Sequence, residues 1–321
     1  MKTNILITSA GRRVELIQAF QRELKGIFSD AGVYATDMSP VLSPACQCAD
    51  ASLTVPRVTD ESYMGVLLDL CEQHHIGMVV PTIDTELQVL ADYRDQFSEQ
   101  GIHIIISSAD LIASCRDKRK TATLFESVGI NTPIIYNKEQ IRFPCFVKPY
   151  DGSCSIGAEA LLSESQLTSS ILSNEKMMFM ELVDDGHTEF TVDTYYTKDG
   201  ALKCLVPRER IEVRGGEVSK GVTRRHEVYD YLLPACKSIK GARGCLTIQV
   251  FANLLQKSFY GLEINPRFGG GYPLSYSAGA NYPGWLIAEY FLDEEIDFHE
   301  QWEADLLMLR YDAKELVHGY A

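Results

Sequence analysis

The 321-residue chain is 45% apolar and 23% charged, which excludes collagen, coiled coil and wholesale disorder and predicts about two domains. Thirty basic against forty-four acidic residues leave a net charge of −14, so the surface as a whole repels nucleic acid and anionic membranes. No stretch approaches the roughly 20 uninterrupted apolar residues of a membrane helix. The first residues lack the apolar region and cleavage site of a signal peptide. Nine cysteines are scattered singly, Cys46 and Cys48 do not fit a zinc knuckle, and the seven histidines show no metal-site spacing. Reduced thiols and a cytoplasmic location are expected.

In chain order, Asn4–Thr8 is a short apolar run. Gly11 and a helix-period set (Val14, Ile17, Phe20, Leu24) follow it. Val33–Thr36 predicts a second strand, Met78–Pro81 a third and Ile102–Ser107 a fourth, with helices over Ser62–His75 and Thr85–Gln96. Alternating strands and helices imply a doubly wound parallel sheet with its ligand edge at the carboxyl ends of the strands. Arg12, Asp37, Asp84 and Glu86 fall on that edge.

Beyond about residue 113 the pattern changes to an α+β region with mostly antiparallel strands. A helix over Asp117–Val128 leads to Phe146-Val147-Lys148-Pro149 and the small-residue loop 151–157. Strands are predicted at Met177–Leu182, Glu189–Thr197, Leu202–Val206, Cys245–Phe251 and Phe259–Ile264.

Two features carry chemistry. A loop containing Gly152, Ser153, Ser155 and Gly157, placed just after a lysine-bearing strand, suits a phosphate cover, although a surface hairpin has the same composition. Lys148 reads as a phosphate-binding cation or as a snorkelling edge residue. Glu263 and Asn265 lie two apart on a strand and so face one side, and Gln249 joins them if the two last strands pair. These oxygens suit Mg²⁺, and Arg267 follows them. A polar solvent-facing strand would show the same alternation. No Ser-His-Asp arrangement is visible.

The ordered set Asp117-Lys118, Phe146–Pro149, loop 151–157, Met180–Val183, Glu189, Gln249 and Glu263–Arg267 resembles the ATP-grasp superfamily. It is most similar to single synthetase units of the carbamoyl-phosphate synthase large chain. The resemblance covers nearly the whole chain and departs from many ligases at Gln249, where a glutamate is common. It implies a pre-ATP-grasp domain at 1–113, a small lobe at 114–182 and a large lobe at 183–321. It also implies ATP with Mg²⁺ or Mn²⁺. Lys118 and Lys148 would then hold phosphates, Glu181 and Val183 the adenine edge, and Glu189 the ribose. Gln249, Glu263 and Asn265 would hold the metal, with Arg267 stabilising the transferring phosphoryl group.

The implied activity is an ADP-forming ligase that makes an acylphosphate from a carboxylate and joins it to an amine. One synthetase unit without a glutaminase segment argues against carbamoyl phosphate synthesis. Arg208 and Arg210 alternate on a strand, either as a carboxylate clamp or as a solvated face. Arg12, Asp84, Glu86 and Gly270 are further substrate-site candidates, with Asp84 equally suited to capping a helix. Partners are small molecules, and the sequence leaves a homodimer open. The rival readings are a non-catalytic ATP-binding regulator and a nicotinamide-dependent oxidoreductase. The latter lacks a full G-x-G-x-x-G.

Overall fold

The computed structural model describes residues 2–152 and 156–320. Its first sheet has the strand order β3-β2-β1-β4-β5, built from β1 (Asn4–Ile7), β2 (Val33–Asp37), β3 (Ala51–Thr54), β4 (Ile76–Val80) and β5 (His103–Ile104). All its pairings are parallel. Successive side chains of β1 point to opposite faces, so Ile5 and Ile7 join one apolar core while Leu6 joins another. Helix Val14–Ile27 covers the first face through Ile17, Phe20 and Leu24. Helices Tyr63–Gln73 and Asp84–Asp92 cover the second through Leu67 and Leu87. Each such side chain removed from water contributes about 1.5–3 kcal/mol, which is what holds both helical layers on the sheet.

The expected four strands are therefore five. β3 reads as a loop because ASLT is half polar, as an edge strand is. The ladder of β5 spans two residues rather than the run Ile102–Ser107. Asp117 is the cap of helix Lys118–Ser127, its carboxylate accepting from the Arg119 N–H at 3.0 Å.

A four-stranded antiparallel sheet follows, order β6-β9-β7-β8, from β6 (Ile135–Tyr136), β7 (Cys145–Pro149), β8 (Glu159–Leu161) and β9 (Met177–Glu181). Its own core is Cys145, Val147, Leu161 and Phe179. The third sheet has six antiparallel strands in the order β14-β13-β10-β11-β12-β15. They are β10 (Thr188–Tyr196), β11 (Leu202–Arg214), β12 (Glu217–Thr223), β13 (Gly244–Asn253), β14 (Ser258–Asn265) and β15 (Leu307–Leu309). Phe190, Leu246 and Ile248 of this sheet share one continuous core with Ile5, Phe20 and Met78 of the first. The Ser108 N–H also donates to the Gly241 carbonyl at 2.8 Å, stitching the two units together. The sequence reading did not resolve β12 or the helices Glu227–Cys236 and Tyr282–Phe291, the last of which is too uniformly apolar to show a face.

Candidate active site

A cleft of about 820 Å³ opens where the small sheet, the large sheet and the strand ends of the parallel sheet meet. Its floor is a hairpin. β13 and β14 are antiparallel, with Gln249 opposite Glu263 and Thr247 opposite Asn265. Cross-strand partners point to one face, so Gln249, Glu263 and Asn265 all turn into the cleft, while Ile264 points into the core. The Asn265 Nδ2 donates to Glu263 Oε1 at 3.0 Å, an amide orientation assigned from that bond.

Two lysines face this floor. Lys118 stands at the start of its helix, donating to the Gly152 carbonyl at 2.6 Å and lying 3.5 Å from Glu263 Oε2. Lys148 alternates with buried Val147 on β7 and so faces the cleft. Among the described residues it has no hydrogen bond or ion pair. Burial, followed by Lys118, pushes its ammonium down to about 8, against the opposing pull of Glu263 and Glu189. Gly152 lines the cleft beside Lys118, and Gly157 stands next to Pro149, the last residue of β7. Ser153 and Ser155 lie outside the described residues.

Glu181 and Val183 line the same cleft at the end of the small sheet. The Glu181 N–H is committed to the Ile134 carbonyl at 2.8 Å, and its carboxylate accepts from the Ile134 N–H at 3.2 Å. Glu189 is largely buried. Burial raises its pKa and Glu263 adds to the rise, while Arg210 and Lys148 oppose it. Arg210 Nη1 lies 3.4 Å from Glu189 Oε1, so Arg210 turns into the cleft and is not a solvated strand face.

Arg267 comes just past β14. Its Nη2 donates to Asp84 Oδ2 at 2.8 Å and its Nη1 to the Phe268 carbonyl at 3.3 Å, while Nε is buried without a partner. Asp84, the first residue of its helix, thus belongs to the cleft and holds an arginine from the other end of the chain.

Two of the expected substrate residues are corrected. Glu86 is buried and does not line the cleft. It accepts from the N–H groups of Thr82 and Ile83, at 3.0 and 3.3 Å, and from the hydroxyls of Ser9 and Tyr63, at 2.9 and 3.1 Å. Burial raises its pKa. Its role is to pin the loop that presents Asp84. Arg208 lines the cleft but is neither a free clamp nor a solvated residue. It is buried, and its Nε and Nη2 donate to the two oxygens of buried Asp193 at 2.8 and 3.0 Å. Ser275 Oγ and Thr247 Oγ1 complete the shell of Asp193 at 2.6 and 3.3 Å.

The glycine run 269–271 exists because side chains press against it. A Cβ on Gly271 would stand 2.2 Å from Arg208 Nη1, and one on Gly270 would stand 2.9 Å from both Arg13 Nη1 and the Glu217 carboxyl. Arg13 and Glu217 line the cleft and escaped the sequence reading, as did nearby Arg310. The available signal was the pair Arg12-Arg13 at the ligand edge. Of the two, Arg12 is exposed and Arg13 turns inward.

One Ser-His-Asp contact does occur, but away from the cleft. His187 Nδ1 lies 2.7 Å from Asp184 Oδ1 and its Nε2 lies 3.2 Å from Ser258 Oγ. These residues do not line the cleft. They tie the turn before β10 to the start of β14.

Family models agree with this architecture. The PylC-like N-terminal domain matches residues 5–105, and ATP-grasp in the biosynthetic pathway with Ter operon matches residues 173–311. Residues 173–311 carry the ATP-grasp match, and the chain as a whole has the fold of the solved structures that follow. Solved structures share its fold at low identity. The biotin carboxylase domain of Hydrogenobacter thermophilus 2-oxoglutarate carboxylase, solved with MgADP and bicarbonate, superposes with a TM-score of 0.74 at 15% identity, covering 95% of this chain and 73% of that one. N5-carboxyaminoimidazole synthetase from Staphylococcus aureus, complexed with ADP, gives 0.68 at 16% identity, covering 89% and 77%. L-Amino acid ligase from Bacillus licheniformis gives 0.66 at 15% identity, covering 89% and 73%. A search of curated proteins found no match. No helix among the described residues is long and apolar enough to cross a membrane.

Proposed function

We propose that the protein is an ATP-dependent, ADP-forming ligase that activates a carboxylate as an acylphosphate and joins it to an amine. The observation that carries this reading is the convergence of Lys118, Lys148 and Arg267 on the oxygen-bearing face of Gln249, Glu263 and Asn265 within one cleft. We take residues 1–113, 114–182 and 183–321 as its pre-ATP-grasp domain, small lobe and large lobe. Eight described free cysteines support a reducing compartment such as the cytoplasm.

The residues present fit a nucleotide and a divalent cation. Among the described residues Lys148 has no ion pair and the buried Nε atoms of Arg210 and Arg267 lack partners, so the cleft is short of negative charge where phosphates would lie. Among the described residues no cluster of three acidic, histidine or cysteine side chains occurs. Glu263 is the one carboxylate of the floor set, so a cation there takes its remaining ligands from phosphate and water, as Mg²⁺ does. When bound, Mg²⁺ or Mn²⁺ would neutralise charge on the phosphates; Glu263, Gln249 and Asn265 would hold it.

Lys118 and Lys148 position the phosphates, with Gly152 beside them. Glu181 and Val183 present backbone groups to the adenine edge, and Glu189 accepts from the ribose. A substrate carboxylate oxygen attacks the γ-phosphorus, the bond to the bridging oxygen breaks, and ADP leaves. The amine nitrogen then attacks the acyl carbon, phosphate departs and the nitrogen loses a proton. Arg267 stabilises charge in both steps, held in place by Asp84.

ADP release from Mg-ATP, measured across a panel of carboxylates and amines, tests the reading. Glu263→Gln removes one charge without changing shape and is expected to abolish turnover while the protein stays folded. Retained ADP formation by this variant at ordinary Mg²⁺ concentration would overturn the metal assignment. Quenching of reduced nicotinamide fluorescence on titration would favour the oxidoreductase.

A further inference from the structure

A second, smaller chamber of about 200 Å³ adjoins the main cleft, sharing Arg13, Ile83, Glu217, Gly269 and Gly270 with it. Its outer wall is the turn after β1, at the carboxyl edge of the parallel sheet, where open α/β sheets take ligands. Arg310, just past β15, closes the far side.

The charges of this chamber do not balance. Arg12, Arg13 and Arg310 face Glu15 and Glu217. Arg310 Nη1 is committed to Glu217 Oε2 and to the Val218 carbonyl, both at 3.2 Å. Among the described residues Arg13 has no ion pair, and its Nη1 is buried without a hydrogen bond. Burial and then Arg267 disfavour its charge, partly offset by Glu217 and Asp84. A guanidinium nitrogen shut away from water and left unpartnered costs free energy that a bound anion returns. Arg13 also fills no structural need of its own helix, where it makes no side-chain cap.

We propose that this chamber is the nucleophile's site, and that the nucleophile is a small amine carrying an oxyanion, a carboxylate or a phosphate, which Arg13 and Arg310 hold. This rests on the ligase reading of the main cleft. The opening between the chambers, at Arg13, Glu217 and Gly270, sets the amine end toward Arg267 and the acyl carbon. Surrounding arginines lower the pKa of an ammonium and so favour the free amine that attack requires. Glu217, kept ionised mainly by Arg13 and Arg310 against the effect of burial, accepts an N–H of the incoming nitrogen.

Calorimetry on the full chain tests this, with and without a non-hydrolysable ATP analogue and Mg²⁺. One arm titrates the twenty common L-amino acids as a mixture. Another titrates O-phosphoethanolamine and glucosamine 6-phosphate, and ethanolamine serves as the amine without an anion. Binding in one anionic arm is expected, with ethanolamine at least about tenfold weaker. Arg13→Gln and Arg310→Gln should each weaken that binding about tenfold or more, at unchanged affinity for the ATP analogue. The thermal midpoint reports folding of each variant, and Arg13→Lys should restore part of the affinity. No binding in either anionic arm, equal binding of ethanolamine, or anionic binding indifferent to both substitutions overturns the proposal. Binding of the amines without binding of the ATP analogue would sink the ligase reading and leave the amine site standing.

Discussion

Two aspartate–arginine pairs in this molecule have the same length and opposite character. Asp193–Arg208 lies inside the large sheet, and the carboxylate accepts from four donors. Asp84–Arg267 joins the parallel sheet to the end of β14, and Arg267 Nε remains unpartnered. The difference is one of saturation. A buried carboxylate whose bonding capacity is used internally holds the fold. A pair that keeps donors in reserve at a cleft is poised to bind. Both pairs look alike in the sequence.

The largest expected effect tests the saturated pair. Asp193→Ala leaves the Arg208 guanidinium buried without its carboxylate, a loss of about 3–5 kcal/mol in unfolding free energy. Asp84→Asn leaves the Arg267 side chain at the edge of water and is expected to cost about 1 kcal/mol or less. Urea denaturation of both variants checks the contrast. Equal losses would erase the distinction.

Next comes the reserve of charge in the cleft. Lys148→Ala is expected to remove a charge-assisted phosphate contact of about 1.5–3 kcal/mol, weakening ATP at least roughly tenfold with no matching loss of stability. Calorimetry gives the number, and an unchanged affinity would return Lys148 to the role of a snorkelling edge residue.

The same lysine sharpens the comparison through pH. Its pKa is lowered to about 8 in the free protein, and phosphate binding needs the ammonium form. Affinity for ATP should therefore be flat below about pH 7 and fall about fivefold from pH 8 to 9 as the proton is lost. Lys148→Arg keeps its charge across that window and should flatten the profile. A step of equal size in that variant would point to another group.

The smallest effect belongs to the floor. Gln249→Glu adds a second carboxylate opposite Glu263 and should tighten Mg²⁺ roughly severalfold, read by metal titration in the presence of ATP. Weaker binding would mean that Gln249 faces the metal poorly.

The floor of the cleft was legible because it depends on local rules. Strand parity puts Glu263 and Asn265 together, and one short hairpin adds Gln249. The parallel sheet was legible for the same reason, since alternation with helices dictates its pairing. Partnerships across long sequence separations were not. Nothing around Arg208 reveals that Asp193 waits on the neighbouring strand, and nothing around Glu86 announces that the hydroxyls of Ser9 and Tyr63 will occupy it. Arg310 lies in a segment without periodicity, so its place beside Glu217 emerges only when β15 pairs with β12. The Asp184–His187–Ser258 contact likewise joins residues that the sequence keeps apart.

The separate core of the small sheet has a mechanical consequence. The parallel sheet and the large sheet share one apolar interior and form a stiff frame, whereas the small sheet rests on a separate cluster around Cys145, Val147, Leu161 and Phe179. A jaw with its own compact interior swings at little energetic cost to the frame that carries Glu263 and Arg267. Lys148 and Glu181 ride on that jaw, so the grip on a nucleotide loosens and tightens as one piece. The frame never has to unravel to let a spent nucleotide go.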